Sequence, residues 1–167
     1  MADTARGKVS MTPVVTIAAD ADADSIDAIH HDIKGSLGGK LEYTKVDAND
    51  KWFYTTSRDV TTTSLDLIPD ASPVTEGGNI NYPDDIRYLF LKNTGTTDGT
   101  TSTSANVFLC LDGGNAFTAP DVLEIGPEEA INLKFRASSG VDLANLHVAC
   151  SSGTVRCIVA AIIDDGG

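Results

Sequence analysis

Three histidines, three cysteines and 24 acidic residues are the side chains of this 167-residue chain with the most chemical potential. Their spacing limits what they can do. Asp20-Ala-Asp-Ala-Asp24 opens like a calcium loop, but such a loop needs Gly at its sixth position and a bidentate Glu at its twelfth. Those positions hold Ser25 and His31. The segment reads as a solvated acidic turn that caps a helix, with a weak cation site of another kind left open. His30 and His31 are adjacent, so their side chains diverge, whereas metal pairs want a spacing of two on a strand or four on a helix. His147 stands between Leu146 and Val148. No metal site and no cofactor is expected. Gly35-Ser-Leu-Gly-Gly-Lys-Leu41 lacks the first Gly and the final Ser or Thr of a phosphate loop, and it leads into a strand. It reads as a turn.

Nucleophilic chemistry finds equally little. There is no Gly-X-Ser-X-Gly elbow, no Cys-X-X-Cys, and no serine singled out by its context. Any two acids could meet across a cleft as a glycosidase pair, yet one Trp and four Tyr make a poor sugar platform. No catalytic residue is nominated, and the expected class is non-enzymatic. Cys150 and Cys157 bracket Ser151-Ser-Gly153, which reads as a hairpin turn. Neither a two-residue nor a three-residue turn brings the two Cβ atoms to the roughly 3.8 Å of a disulfide. All three cysteines, with Cys110, read as small buried hydrophobes in reduced form.

The elements around these residues are mostly strands. Short runs rich in Val, Ile, Thr, Leu and aromatics, punctuated by Gly, Pro, Asn, Asp and Ser, fall at 8–17, 40–46, 51–57, 60–68, 85–93, 105–112, 122–125, 130–136, 146–150 and 154–163. About ten strands with few helical patterns between them predict an antiparallel all-β sandwich, jelly-roll-like, rather than βαβ units. Residues 130–136 alternate strictly, as a half-exposed strand does. Residues 86–91 and 155–163 are apolar on both faces. That predicts central strands or faces covered by a partner. One short helix is expected at 24–33, where Ile26, Ile29 and Ile33 recur at helical spacing behind Asp24 or Ser25 as cap. The domain reading is an arm or edge strand at 1–18 and a single sandwich at 19–167.

Charge and hydropathy exclude partners. Twelve basic residues face 24 acidic ones, for a net charge of −12, and the basic ones are scattered. The electrostatic footprint of nucleic-acid binding is missing. The longest apolar run, at 157–163, is far short of the roughly 20 residues of a membrane helix. Val14–Ala19 is too short for the core of a signal peptide and follows Pro13. Synthesis in a cytoplasm is expected.

Two stretches invite contact with other proteins. In Lys51-Trp-Phe-Tyr-Thr55, Trp52 and Tyr54 share one side and Phe53 takes the other. Either this is a central core strand, or one face is an interface anchored by Trp52 and Tyr54. Between the apolar runs at 88–91 and 107–111 lies Thr96-Thr-Asp-Gly-Thr-Thr-Ser-Thr-Ser104, whose one ionisable residue is Asp98. It reads as the tip of a long hairpin. Thr97 and Asp98 then sit on a solvent-facing loop or a contact finger.

Arg87-Tyr-Leu-Phe-Leu-Lys-Asn-Thr-Gly95, Val107-Phe-Leu-Cys-Leu-Asp-Gly-Gly114, Leu123-Glu-Ile-Gly-Pro-Glu-Glu-Ala-Ile-Asn-Leu133 and the turn at Ser151-Ser-Gly-Thr154 form a pattern. So do Gly35-Ser-Leu-Gly-Gly-Lys40, Tyr43 and Asn49-Asp-Lys-Trp52. Over residues 33–164 the chain resembles small virion structural proteins of tailed bacteriophages, notably those of marine T4-like phages. The resemblance implies a non-enzymatic head decoration (cement) protein on the capsid exterior, at junctions of major capsid protein subunits. Within that reading, Lys8, Val9 and Met11 belong to an arm that reaches a neighbour. The Trp52/Tyr54 face serves a cyclic homo-oligomer, a trimer for example. A neck, tail or fibre component and a free-standing ligand- or glycan-binding module are the alternatives.

Overall fold

A computed structural model describes residues 4–9, 39–44, 51–72, 79–116, 118, 122–136 and 140–164. The expected helix at 24–33, and Met11, lie outside them. The chain divides into two compact units, Arg6–Glu42, and Met1–Ala5 with Tyr43–Gly167. Strands β1 (Thr4–Val9) and β2 (Gly39–Thr44) pair as a two-stranded sheet.

The larger unit holds β3 (Lys51–Thr61), β4 (Leu65–Asp66), β5 (Asp85–Asn93), β6 (Val107–Cys110), β7 (Leu123–Ile125), β8 (Ala130–Lys134), β9 (Val141–Asp142), β10 (His147–Cys150) and β11 (Thr154–Asp164). A 3-10 turn, Leu143–Asn145, precedes β10. One sheet runs β3-β11-β5-β8, with β9 also on β5; the other runs β4-β10-β6-β7. All their ladders are antiparallel. The pairing is nested: β3 with β11, β4 with β10, β5 with β8, β6 with β7. The doubled ribbon is then folded over, so that β11 also pairs β5 and β10 also pairs β6. That is the strand order of a jelly roll, an arrangement that packs two sheets over one core.

The inward rows alternate with outward ones, as pleating requires. Phe53, Val60, Leu89, Leu91, Val155, Val159, Ala161 and Ile163 from the β3 sheet meet Val107, Leu109, Ile125, Val148 and Cys150 from the β4 sheet. Each fully buried Leu, Ile or Val contributes about 1.5–3 kcal/mol relative to exposure. β5 and β11, apolar on both faces, are the central strands of their sheet. β8, the alternating one, is its edge, with Ile131 and Leu133 packed against the core.

Several expectations need correction. Residues 51–57 and 60–68 are not two successive strands. β3 runs unbroken through Ser57-Arg58-Asp59, because Thr56 and Ser57 together oppose Ile158 in a β-bulge. A bulge absorbs an extra residue without ending the ladder. β3 also closes one end of its sheet among the described strands, so the Trp52/Tyr54 strand is not central. The stretch between β5 and β6 is not the tip of a hairpin, and neither is Ser151-Ser-Gly153. In both places the flanking strands belong to different sheets, and the connection crosses the end of the sandwich. Cys150 and Cys157 therefore enter the core from opposite sheets. All three cysteines are free and buried. No helix among the described residues is long and apolar enough to cross a membrane.

Candidate functional site

The chemically capable side chains converge at one place. A depression of about 420 Å³ is lined by Ser64, Leu65, Asp66, Gly113, Asn115 and His147. The β4–β10 ladder builds it by setting His147 directly opposite Asp66. His147 Nε2 lies 3.3 Å from Asp66 Oδ1, and Nδ1 lies 2.7 Å from the Gly114 carbonyl. The Tyr82 hydroxyl donates to Asp66 Oδ2, and Arg58 donates to the Asp66 carbonyl. The bond to Asp66, with burial, holds the Tyr82 hydroxyl above its ordinary range. Burial lowers the Arg58 guanidinium, and Asp66 opposes that shift.

Ser, His and Asp thus share one depression, but not as a catalytic relay. A triad needs one ring nitrogen on the serine hydroxyl and the other on the carboxylate. Here both ring nitrogens face oxygens of Asp66 and Gly114, while Ser64 Oγ accepts from the Ala116 amide at 3.1 Å. The groups are turned to joining β4 and β10 to the loop after β6. That loop has its own clasp. Asp112 Oδ1 accepts from Cys110 Sγ at 2.8 Å and from the Gly114 amide at 2.9 Å. These bonds hold the Asp112 carboxyl below its ordinary value. Burial, with the bond to Asp112, raises the Cys110 thiol.

Burial likewise raises Cys150, and pushes Cys157 up to about 12. Reactive cysteines show the opposite shift. Among the described residues, no three His, Cys, Asp or Glu side chains gather where they could hold a metal.

The segment from Thr94 to Asn106 is a built crossover. Asn93, fully buried at the end of β5, donates from Nδ2 to the carbonyls of Ala105 (3.0 Å) and Ile125 (3.2 Å). Its Oδ1 accepts from the Gly95 amide at 2.9 Å. Gly95 takes φ +69°, and a Cβ there would press on Glu128. Beyond it, Thr96 bridges Ser102, and the Thr97 amide donates to the Thr101 carbonyl at 2.9 Å. Asp98 turns inward on its own loop. Its carboxylate accepts from the amides of Thr100 and Thr101, at 2.8 and 2.7 Å, and from both hydroxyls. These bonds hold its pKa far below the ordinary 3.8. Arg156 of β11 clasps the loop through the Asp98 carbonyl while pairing with Asp59 at 2.8 Å. Thr97 is partly exposed and Asp98 exposed, at the outer end of this clasped loop.

No protein-family model, no curated protein and no solved structure matches the chain.

The third feature is the outer face of the β3 sheet. In register across the strands run Trp52, Ile162, Tyr88 and Lys134; then Tyr54, Ala160, Phe90 and Asn132; then Ile158, Lys92 and Ala130. Ile162 and Tyr88 are buried. Tyr54 is 54% exposed, and Trp52, Phe90, Ile158 and Ala160 are partly so. Trp52 and Tyr54 therefore do share one side of the sheet, opposite Phe53 in the core. Lys8 and Val9 lie in β1.

Sequence reasoning missed the polar residues that hold these features in place. Lys51 Nζ pairs with Asp84 Oδ2 at 2.6 Å, both almost fully buried. Arg87, the extra residue of a second bulge, donates from Nε to Asp164 at 2.8 Å and from Nη1 to the Arg136 carbonyl at 3.0 Å. Partners 33 and 77 residues apart leave no local signal.

Proposed function

We propose that the chain is a non-enzymatic structural protein of a phage particle that binds the outer capsid surface and stabilises the shell. The observation that carries this reading is the half-exposed aromatic face of the β3 sheet. An apolar face left partly open on a folded domain is a candidate interaction surface, and here Tyr54 is exposed with Trp52, Phe90 and Ile158 partly so around it. Here the patch sits on a jelly-roll sandwich, an architecture used by capsid domains and lectins alike. The wiring of Ser64, Asp66 and His147 into structural bonds supports the non-enzymatic part, since no ring nitrogen is left to activate a nucleophile. The resemblance of residues 33–164 to marine T4-like virion proteins supports the particle as the location. Fold alone does not settle function, so the weight rests on the face.

A decoration protein of this kind works by linkage. It binds the assembled lattice better than free major capsid protein, and so shifts the equilibrium toward the shell. Repetition over the lattice adds avidity. In this reading Lys8 and Val9 of β1 form one further contact, and Thr97 with the exposed end of the 94–106 crossover forms another. The test is to mix the purified chain with undecorated heads of the encoding phage and image them. Ordered density at lattice points on the outer surface is expected. Binding confined to a neck or tail would favour that location instead, and a chain left in solution would remove the reading.

The polar depression at His147 favours one alternative, a free-standing module for a neutral glycan. That reading predicts calorimetric binding of oligosaccharides without any shell, abolished by Asp66→Ala.

A further inference from the structure

We propose that the buried Lys51–Asp84 pair is a modification site, at which the folded chain condenses the lysine amine with the aspartate carboxyl into an intramolecular isopeptide bond. Lys51 Nζ lies 2.6 Å from Asp84 Oδ2, and the two side chains are 3% and 2% exposed. The partners stand 33 residues apart, so the fold alone brings them together.

The surroundings are apolar. In register across the sheet run Lys51 on β3, Ile163 on β11, Ile86 on β5 and Val141 on β9. Ile163 and Ile86 are fully buried in the core, and Phe53, two places along β3 from Lys51, shares their side. Charge is costly in such a place, and a proton passed from one partner to the other removes both charges at once. The hydrogen bond between Lys51 and Asp84 is the path for that proton. It leaves an amine beside a carboxylic acid, the two groups from which an amide is made.

The backbone holds the reacting atoms in place. The Asp84 amide donates to the Asn81 carbonyl at 3.0 Å, and the Asp84 carbonyl accepts from the Leu143 amide at 3.0 Å. Asp84 Oδ2 also accepts from the Asn81 amide at 2.9 Å. Lys51 is fixed by its place in the β3–β11 ladder. The carboxyl carbon is one bond length from Oδ2, which puts Nζ close to the roughly 3–3.5 Å of a near-attack contact. In the step, Nζ forms a bond to Cγ and the Cγ–Oδ1 bond breaks. Oδ1 leaves as water with two of the three protons of the ammonium. Oδ2 stays as the amide oxygen, and the Asn81 amide is placed to stabilise the negative charge it carries on the way. Atoms and charge balance without a further reactant.

The bond ties the start of β3 to the start of β5 across β11, which lies between them. It follows folding, so a fresh chain holds the ion pair and gains the bond on storage.

The test is intact-mass spectrometry of the purified full chain, fresh and after weeks at neutral pH. Loss of the mass of one water is expected. After unfolding, trypsin should no longer cut behind Lys51 and should yield peptide 46–58 joined to peptide 59–87. The stored chain should melt above the fresh one, because the bond closes a loop in the unfolded chain. Lys51→Met with Asp84→Leu removes both groups and should keep its full mass.

Three results would overturn the inference. One is a stored wild-type chain of full mass, still cut behind Lys51. Another is a loss of water in the double variant as well. The third is a loss that maps to Asp98-Gly99 or Asp112-Gly113, where ring closure onto the next amide also expels water and hydroxylamine cleaves the product. The wild-type peptide map decides the question even where the variant fails to fold. A chain that forms the bond but ignores phage heads keeps this inference and loses the decoration reading. Binding to heads by a chain that never forms it does the reverse.

Discussion

Replacing Asn93 by leucine should destabilise the sandwich by about 2–4 kcal/mol while leaving the fold recognisable. Leucine is close to asparagine in size, so the change removes polarity more than volume. Three bonds are lost: two donated to the carbonyls of Ala105 and Ile125, and one accepted from the Gly95 amide. A buried group left without its partner costs about 1–3 kcal/mol. The two carbonyls fall at the low end because each keeps a second lone pair, while the amide has a single proton to place. The sum is about 3–5 kcal/mol, and burying leucine's methyl groups returns about 1 kcal/mol. The net is a large share of the roughly 5–15 kcal/mol that holds a domain together. Urea unfolding with linear extrapolation measures it, as a fall in midpoint at constant slope. Amide exchange at Gly95, Thr97 and Thr103 should accelerate in the same variant. A stability within about 0.5 kcal/mol of wild type, with exchange unchanged, would refute the role of Asn93 as the pin of the crossover.

Other expectations are as direct. Asp84→Ala removes the carboxylate that pairs with the buried Lys51 ammonium and should cost about 3–5 kcal/mol, whereas Lys51→Met with Asp84→Leu should recover most of it; equal losses in the two, by thermal melting, would contradict the pairing. Asp98 has a depressed folded-state pKa, so its contribution is present above the ordinary 3.8 and is lost as pH falls through the folded value. Asp98→Asn should therefore lower stability at neutral pH and flatten the decline below about pH 4, read from unfolding curves across pH. The three thiols should resist a thiol-specific reagent at pH 8 until denaturant is added, because they are buried and Cys157 is pushed up to about 12; rapid labelling of the native chain would show that the core is open.

The all-β class and the central strands were legible in the sequence for a physical reason. A strand that lies between others and carries apolar residues on both faces shows no alternation in sequence, and β5 and β11 read that way, although Phe90, Ile158 and Ala160 stay partly exposed on the outer face. The strict alternation of Ile131 and Leu133 with Asn132 and Lys134 marked β8 as half-exposed; its place at the end of the sheet order came from the ladders. Sheet membership was not legible. A turn such as Ser151-Ser-Gly153 looks the same whether the next strand pairs with the last or crosses to the other sheet. The ladder that decides it joins Thr154 to Thr61 and Ile162 to Tyr88. The bulge at Thr56 and Ser57 looked like a break because its polar residues match a turn in type.

The same distance hid the candidate site. Asp66 and His147 face each other only through the β4–β10 pairing, and nothing near either residue reports it. Asp98 did carry a local signal, an aspartate with threonines two and three positions on, a pattern that bonds back to its own backbone. It identifies a carboxylate turned inward to its own loop rather than one reserved for a partner. The Trp52/Tyr54 face was readable because alternation alone puts both rings on one side. Its continuation through Ala160, Phe90 and Ile158 needed the register.

Imaging of undecorated phage heads mixed with the purified chain tests the central claim most directly. The account predicts ordered density for the chain at lattice points on the outer surface, reduced when Tyr54 is replaced by arginine. Heads that stay bare at saturating wild-type protein would contradict it.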